Sequence, residues 1–231
     1  MRYYFLFVAL TSIVLTSIIS LIPLWGVSQG DISDMYQTGI TPAGFTFSIW
    51  SLIYLSWIAL WIYLATIHKK IWKKYFFLSG SIFLSVLWLL PWHYNMIWLS
   101  LLIMFALFWS LSYIYLHKAY KDRYFQYTLE LYLWWIFVAL IANIHIFLVS
   151  MNWYVLPEFF TLLSFFIWFL ILFYTLKVRK SFIPSYVFLW ALYGIYIAQA
   201  SVSVQSWVFI TATALLIFIS IYHPKSYHIF R

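Results

Sequence analysis

Lysine and arginine occur in this chain only in short clusters, and between the clusters lie apolar runs long enough to cross a bilayer. A hydrocarbon core of about 30 Å takes roughly 20 apolar residues in a helix. Cutting at charges, glycines and prolines places such runs at about residues 3–25, 44–67, 75–92, 96–117, 128–150, 157–176, 184–200 and 206–222. Only 8% of the 231 residues are charged and 66% are hydrophobic. A soluble domain carries about a quarter charged residues, so this chain lacks the polar surface to coat a globule in water. A soluble enzyme, a nucleic-acid-binding module and a disordered chain are excluded. The expected class is all-α, a polytopic integral membrane helical bundle with membrane lipids as its first partners.

The loops test this division independently. Arg2 precedes the first run, and Lys69, Lys70, Lys73 and Lys74 follow the second. Lys118, Lys121 and Arg123 follow the fourth, Lys177, Arg179 and Lys180 the sixth, and Lys225 and Arg231 the eighth. With eight spans all 13 basic residues fall on one side, while Asp31, Asp34 and Glu158 fall on the other. Seven or nine spans break that segregation. The positive-inside rule then puts both termini in the cytoplasm, and the net charge of +8 marks that face. The first run reaches Trp25, longer than a signal-peptide core, and is expected to be retained as a helix. The stretch Gly26–Ala43 is expected to be an ordered external loop and the first place to look for function.

The polar inventory narrows the chemistry. Ionisable groups are costly inside a membrane and usually functional. Glu130 is the acidic residue within a span, expected to be an interface carboxylate near the cytoplasmic end, within reach of Arg123 or Lys121. Asp31 and Asp34 are expected to cap or solvate the external loop. No lysine occupies a span interior, which excludes a retinal Schiff base. No His-Glu-x-x-His zinc site, Gly-x-Ser-x-Gly elbow or internal repeat is present. Zero cysteines exclude a disulfide scaffold and thiolate chemistry. His68, His117, His223 and His228 sit with the basic loops. His93 and His145 fall at the end of the third run and within the fifth, expected to be hydrogen-bonded side chains, with axial ligation of a haem iron as the alternative.

The aromatic residues, 25% of the chain, are patterned. Residues spaced by three and four share a helix face. The second run places Trp50, Tyr54, Trp57 and Trp61 on one face, the third Ser81, Ser85, Trp88 and Trp92, and the fifth Tyr132, Trp135, Ala139 and Asn143. Rings with a few hydrogen-bonding tips suit a flat conjugated or steroid-like guest. Spacing alone favours ordinary helix packing over a pocket. Trp25, Trp98, Trp153 and Trp207 fall near the external boundary, where an interfacial belt is expected.

These same residues carry a resemblance. The stretch Thr41-Pro42-Ala43-Gly44-Phe45-Thr46-Phe47-Ser48-Ile49-Trp50-Ser51-Leu52-Ile53-Tyr54 resembles the loop and second-helix signature of the TspO/translocator protein (tryptophan-rich sensory protein) family. Tyr132-Leu133-Trp134-Trp135-Ile136-Phe137-Val138-Ala139-Leu140-Ile141-Ala142-Asn143 is similar to its fifth-helix signature, Tyr-Leu-x-Trp-x-x-x-Ala-x-x-x-Asn, at every fixed position. Val86–Tyr94 is similar to the third-helix motif of longer members, and Trp190–Gln199 to their seventh helix. The resemblance implies a five-helix core over residues 1–153, followed by a three-helix membrane extension over 154–231. It also implies an aromatic pocket under the first external loop, holding a porphyrin (or haem), a sterol or another small hydrophobic ligand, with no required cofactor. The implied pocket residues are Pro42, Phe47, Trp50, Tyr54, Ser85, Trp88, Trp98, Trp135, Ala139 and Asn143. Ser85 replaces the family's usual Asn, Leu131 its Pro, and the loop's prolines are reduced to Pro42.

Four roles remain open at this point. They are ligand binding with a sensory or regulatory purpose, small-molecule or lipid transport, an enzyme-like breakdown of bound porphyrin that relies on the pigment and oxygen, and a scaffold whose aromatic faces merely pack. A homo-oligomer is compatible with each. Nucleic acid is not an expected partner.

Overall fold

The computed structural model describes residues 2–21, 28–67, 72–117, 123–153 and 155–222. All regular structure among them is helical: α1 (Arg2–Leu21), α2 (Gln29–Met35), α3 (Ile49–Ile67), α4 (Trp72–His93), α5 (Ile97–His117), α6 (Arg123–Ser150), α7 (Pro157–Tyr174), α8 (Ile183–Ala198) and α9 (Val202–Tyr222). A 3-10 turn, Gly44–Ser48, leads into α3, and a π turn, Thr175–Arg179, follows α7. The long helices coincide with the eight apolar runs. Four described stretches, Gly44–Tyr63, Ile97–His117, Arg123–Ser150 and Pro157–Arg179, are long and apolar enough to cross a membrane. The chain is an integral membrane helical bundle.

Local chemistry sets several boundaries. Pro157 opens α7, where the missing N–H costs nothing. Asn95 (φ 57°) and Asn152 (φ 58°) take the left-handed conformation just beyond α4 and α6. There the N–H of Met96 donates to Pro91 O at 2.8 Å, and that of Trp153 to Leu148 O at 2.8 Å. Asn tolerates this backbone because its short polar side chain bonds locally. The expected loop between the first two spans is partly helical, because Ser28 and Asp31 form a capping box that starts α2. The run that starts at residue 44 opens with the 3-10 turn, and its α-helix begins at Ile49.

Packing closes a ring in which α1 meets α4, α4 meets α5, α5 meets α6, α6 meets α3 and α3 returns to α1. Outside it, α8 lies along α6 and touches the 3-10 turn, while α9 and α7 pack against α8 and each other. The three aromatic faces read from the sequence turn inward. Trp50, Tyr54, Trp57, Trp61, Ser81, Ser85, Trp88, Trp92, Tyr132, Trp135 and Asn143 are all buried.

Glu130 departs from its expectation. It is 0% exposed, because α6 begins at Arg123, about two turns before it, and the segment after α7 covers it. Among the described residues Arg123 is not one of its hydrogen-bond partners, and Lys121 lies outside those residues. Gln126 Nε2 donates to one carboxylate oxygen at 3.0 Å and the Ser181 hydroxyl to the other. Arg179 lies 4.4 Å over the Tyr115 ring and donates to the Tyr115 carbonyl at 2.9 Å.

Candidate functional site

The site is built around Trp50, in the first turn of α3. Its ring stacks on Tyr54 at 5.7 Å and on Trp88 at 6.4 Å, with Trp135 perpendicular at 6.4 Å. Trp88 continues to Trp92 at 5.3 Å, and Phe47 meets Trp135 edge-on at 6.5 Å. These rings bring α3, α4, α6 and the 3-10 turn to one place.

Beside them lies a cavity of ≈ 40 Å³. Ser33, Ile40 and Pro42 from the loop, and Thr46 and Phe47 from the 3-10 turn, form its roof side. Trp88 and Trp92 come from α4, and Trp135, Ala139 and Asn143 are among the residues from α6. Trp168 of α7 and Ala191 and Ile195 of α8 complete the wall. Pockets that enclose a drug-sized molecule run to roughly 300–1,000 Å³, so a large guest enters only if rings and roof move apart.

Six of the sequence-predicted residues therefore line the cavity: Pro42, Phe47, Trp88, Trp135, Ala139 and Asn143. Trp50 and Tyr54 stand behind Trp88 as a stacked pair. Ser85 is buried with its hydroxyl donating to Ile82 O at 2.7 Å, within its own helix. Trp98 lies on the outer side of α5, 56% exposed, and is not brought to the cavity. Ten lining residues were not among those predicted from sequence, Thr46, Trp168, Ala191 and Ile195 among them. A signal existed for one of them: Thr161, Ser164, Trp168 and Thr175 follow the same helical spacing as the faces that were recognised, and all four are buried.

Asn143 Nδ2 donates to Ser100 Oγ at 3.0 Å, joining α6 to α5, while its Oδ1 has no partner. The indole N–H groups of Trp88, Trp135 and Trp168 and the Thr46 hydroxyl are also buried without partners. An unpaired buried polar group costs roughly 1–3 kcal/mol, so this wall holds unused hydrogen-bonding capacity. Neither His93 nor His145 lines the cavity. His93 Nδ1 bonds the Leu89 carbonyl at 2.8 Å, and His145 Nε2 bonds Ser164 Oγ at 2.9 Å. Among the described residues no group of His, Asp and Glu is placed to hold a metal.

The roof is fastened on three sides. Toward α4, Trp92 Nε1 donates to Gln29 O at 3.3 Å and the Tyr36 hydroxyl to Asn95 Oδ1 at 2.9 Å. Toward α8, the Ala43 N–H donates to Gly194 O at 3.0 Å and Trp190 Nε1 to Thr46 O at 2.9 Å. Gln199 Nε2 reaches both Thr38 O and Thr41 O, at 3.0 and 3.1 Å. Toward α7, Gly39 sits so close to Thr161 that a Cβ there would lie 2.1 Å from its hydroxyl. In the loop, the Ser28 backbone N–H, then its hydroxyl hydrogen bond, hold the Asp31 carboxyl below the usual range.

Comparison with known proteins fits this arrangement. No curated protein and no solved structure matches the chain. The sequence profile of TSPO-like proteins matches residues 2–223, nearly the whole of it, and the chain therefore belongs to the TSPO-like protein family.

Proposed function

We propose that this protein binds a flat, largely apolar molecule in the roofed cavity, in a sensory, regulatory or transport role. The observation that carries the reading is the cavity itself, walled by Phe47, Trp88, Trp92, Trp135 and Trp168 at the place the family resemblance indicates. Stacking on these rings supplies most of the affinity, and a tetrapyrrole or sterol-like molecule is the guest class. Pro42, Phe47, Trp88, Trp135, Ala139 and Asn143 touch it, with Trp50, Tyr54 and Ser85 supporting the wall. The long helices cross the bilayer eight times with the basic loops and both termini in the cytoplasm, which puts the roof outside. Residues 1–153 form the core and 154–231 the extension, and both contribute to the one cavity.

Titration with protoporphyrin tests this. Saturable quenching of tryptophan fluorescence beyond an empty-bilayer control is expected, with affinity falling at least about 10-fold in a folded Trp135→Ala variant. Quenching no greater than the control removes the tetrapyrrole.

A further inference from the structure

Resting on that flat-guest reading, we propose that Trp168 selects guests carrying hydrogen-bond acceptors. The ligand class is then a planar ring system with carbonyl, carboxylate or ring-nitrogen atoms at its edge, and not a bare hydrocarbon. Trp168 lies on α7, in the extension, outside the stretch that carries the resemblance. Its side chain is 1% exposed and lines the cavity. The ring lies parallel to Phe188, 5.5 Å away with 9° between planes, and meets Phe165 at 5.8 Å and 62°. Those contacts hold the indole in place, so its N–H is a fixed donor.

That N–H has no partner. An indole donates and cannot accept. The nearby α6 and α8 side chains in the wall, Val138, Ala142, Ile146, Ala191 and Ile195, carry no acceptor. A guest with an acceptor at its edge supplies the complement. Trp88, on the α4 side, shows the same deficit and lies between rings inclined at only 28° and 34°. Asn143 Oδ1 adds one acceptor. Trp57 and Trp134 also lack partners, but neither lines the cavity, so neither meets a guest. A largely apolar cavity with unpaired N–H groups among its lining residues discriminates by the edge atoms of a guest that reaches them, while its rings tolerate any flat face.

Anthracene and anthraquinone provide the test, since they share a fused-ring skeleton and differ in carbonyl acceptors. Each is titrated into the full chain in lipid nanodiscs, read by tryptophan quenching against empty discs. Anthraquinone is expected to bind about 10-fold more tightly. Trp168→Phe keeps a ring and removes the N–H, and is expected to reduce the anthraquinone-to-anthracene affinity ratio to about 2-fold, with anthracene reporting any change in stacking. Equal affinities in the wild type, or an undiminished preference in the variant, overturn the proposal and leave the flat-guest reading standing. Saturable binding of neither probe overturns both. A second measure needs no variant: bound anthraquinone is expected to move an indole N–H resonance downfield, and anthracene none. Absence of that shift at saturation also overturns the proposal.

Discussion

At position 194 a methyl group has nowhere to go. A Cβ on Gly194 would lie 2.0 Å from Thr46 Oγ1 and 2.9 Å from its Cβ and Cγ2. Thr46 cannot retreat freely, because its N–H bonds Ala43 O and its carbonyl receives Trp190. Gly194→Ala should therefore destabilise by about 1–3 kcal/mol despite alanine's better helix propensity, read as a lower thermal midpoint in nanodiscs. Adding Thr46→Gly should recover part of that loss; unchanged melting of the single variant would show that the contact yields. Asp31 supports a different prediction. Its carboxyl is held below its ordinary pKa by the capping box, so the stability it adds to α2 is full above about pH 4 and disappears as pH falls through the lowered folded value. Amide protection in α2 should follow that course, and in Asp31→Asn the acid-dependent loss should vanish. The charge and loop position of Asp31 were readable in the sequence. The Gly194 contact was not, because spacing says nothing about which distant backbone a glycine meets.

Among the elements, α6 and the turn after α7 depend on each other. Helix α6 has 28 residues, about 42 Å at 1.5 Å per residue, longer than a bilayer core of about 30 Å, and Glu130 lies in its first turns. The π turn and Lys180, left-handed at φ 54°, bring Arg179 and Ser181 over it. A buried carboxylate with two donors is expensive to mutate, because each donor loses its acceptor at once. Glu130→Ala should cost about 3 kcal/mol in thermal or chemical unfolding, and Glu130→Gln, which keeps one carbonyl acceptor, about half of that. Equal stability in both variants and the wild type would mean that water or lipid headgroups replace the carboxylate. The sequence placed Glu130 in its helix but did not show Gln126 and Ser181 as its donors. Local patterning reports depth along a helix, whereas Ser181 arrives through a π turn that has no sequence signature.

For the whole molecule, the apolar runs located every long helix. The reason is physical: a lipid-facing helix must be apolar over its full length, which leaves little ambiguity about where it starts and stops. The inward faces were also legible, since small, polar and aromatic residues at helical spacing have to point away from lipid. What stayed hidden was the closure of the cavity by Trp168, Ala191 and Ile195, which depends on how α7 and α8 settle against the ring. The topology can be tested directly because the chain has 0 cysteines. A cysteine introduced at Asp34 should react with an impermeant thiol reagent from outside intact cells, and one at Lys180 only after the membrane is opened. Reaction of both from one side would refute the eight-span arrangement. The two tight glycine contacts have a consequence for how such proteins diversify. Gly194 against Thr46 and Gly39 against Thr161 are size-matched couples that join the roof to α8 and α7. A larger residue on one side can persist only if its opposite number shrinks, so natural variants should show compensating exchanges at these couples. The roof and the extension are in that sense a single inherited unit. Transplanting the loop alone into a five-helix relative should carry over its sequence without its seat.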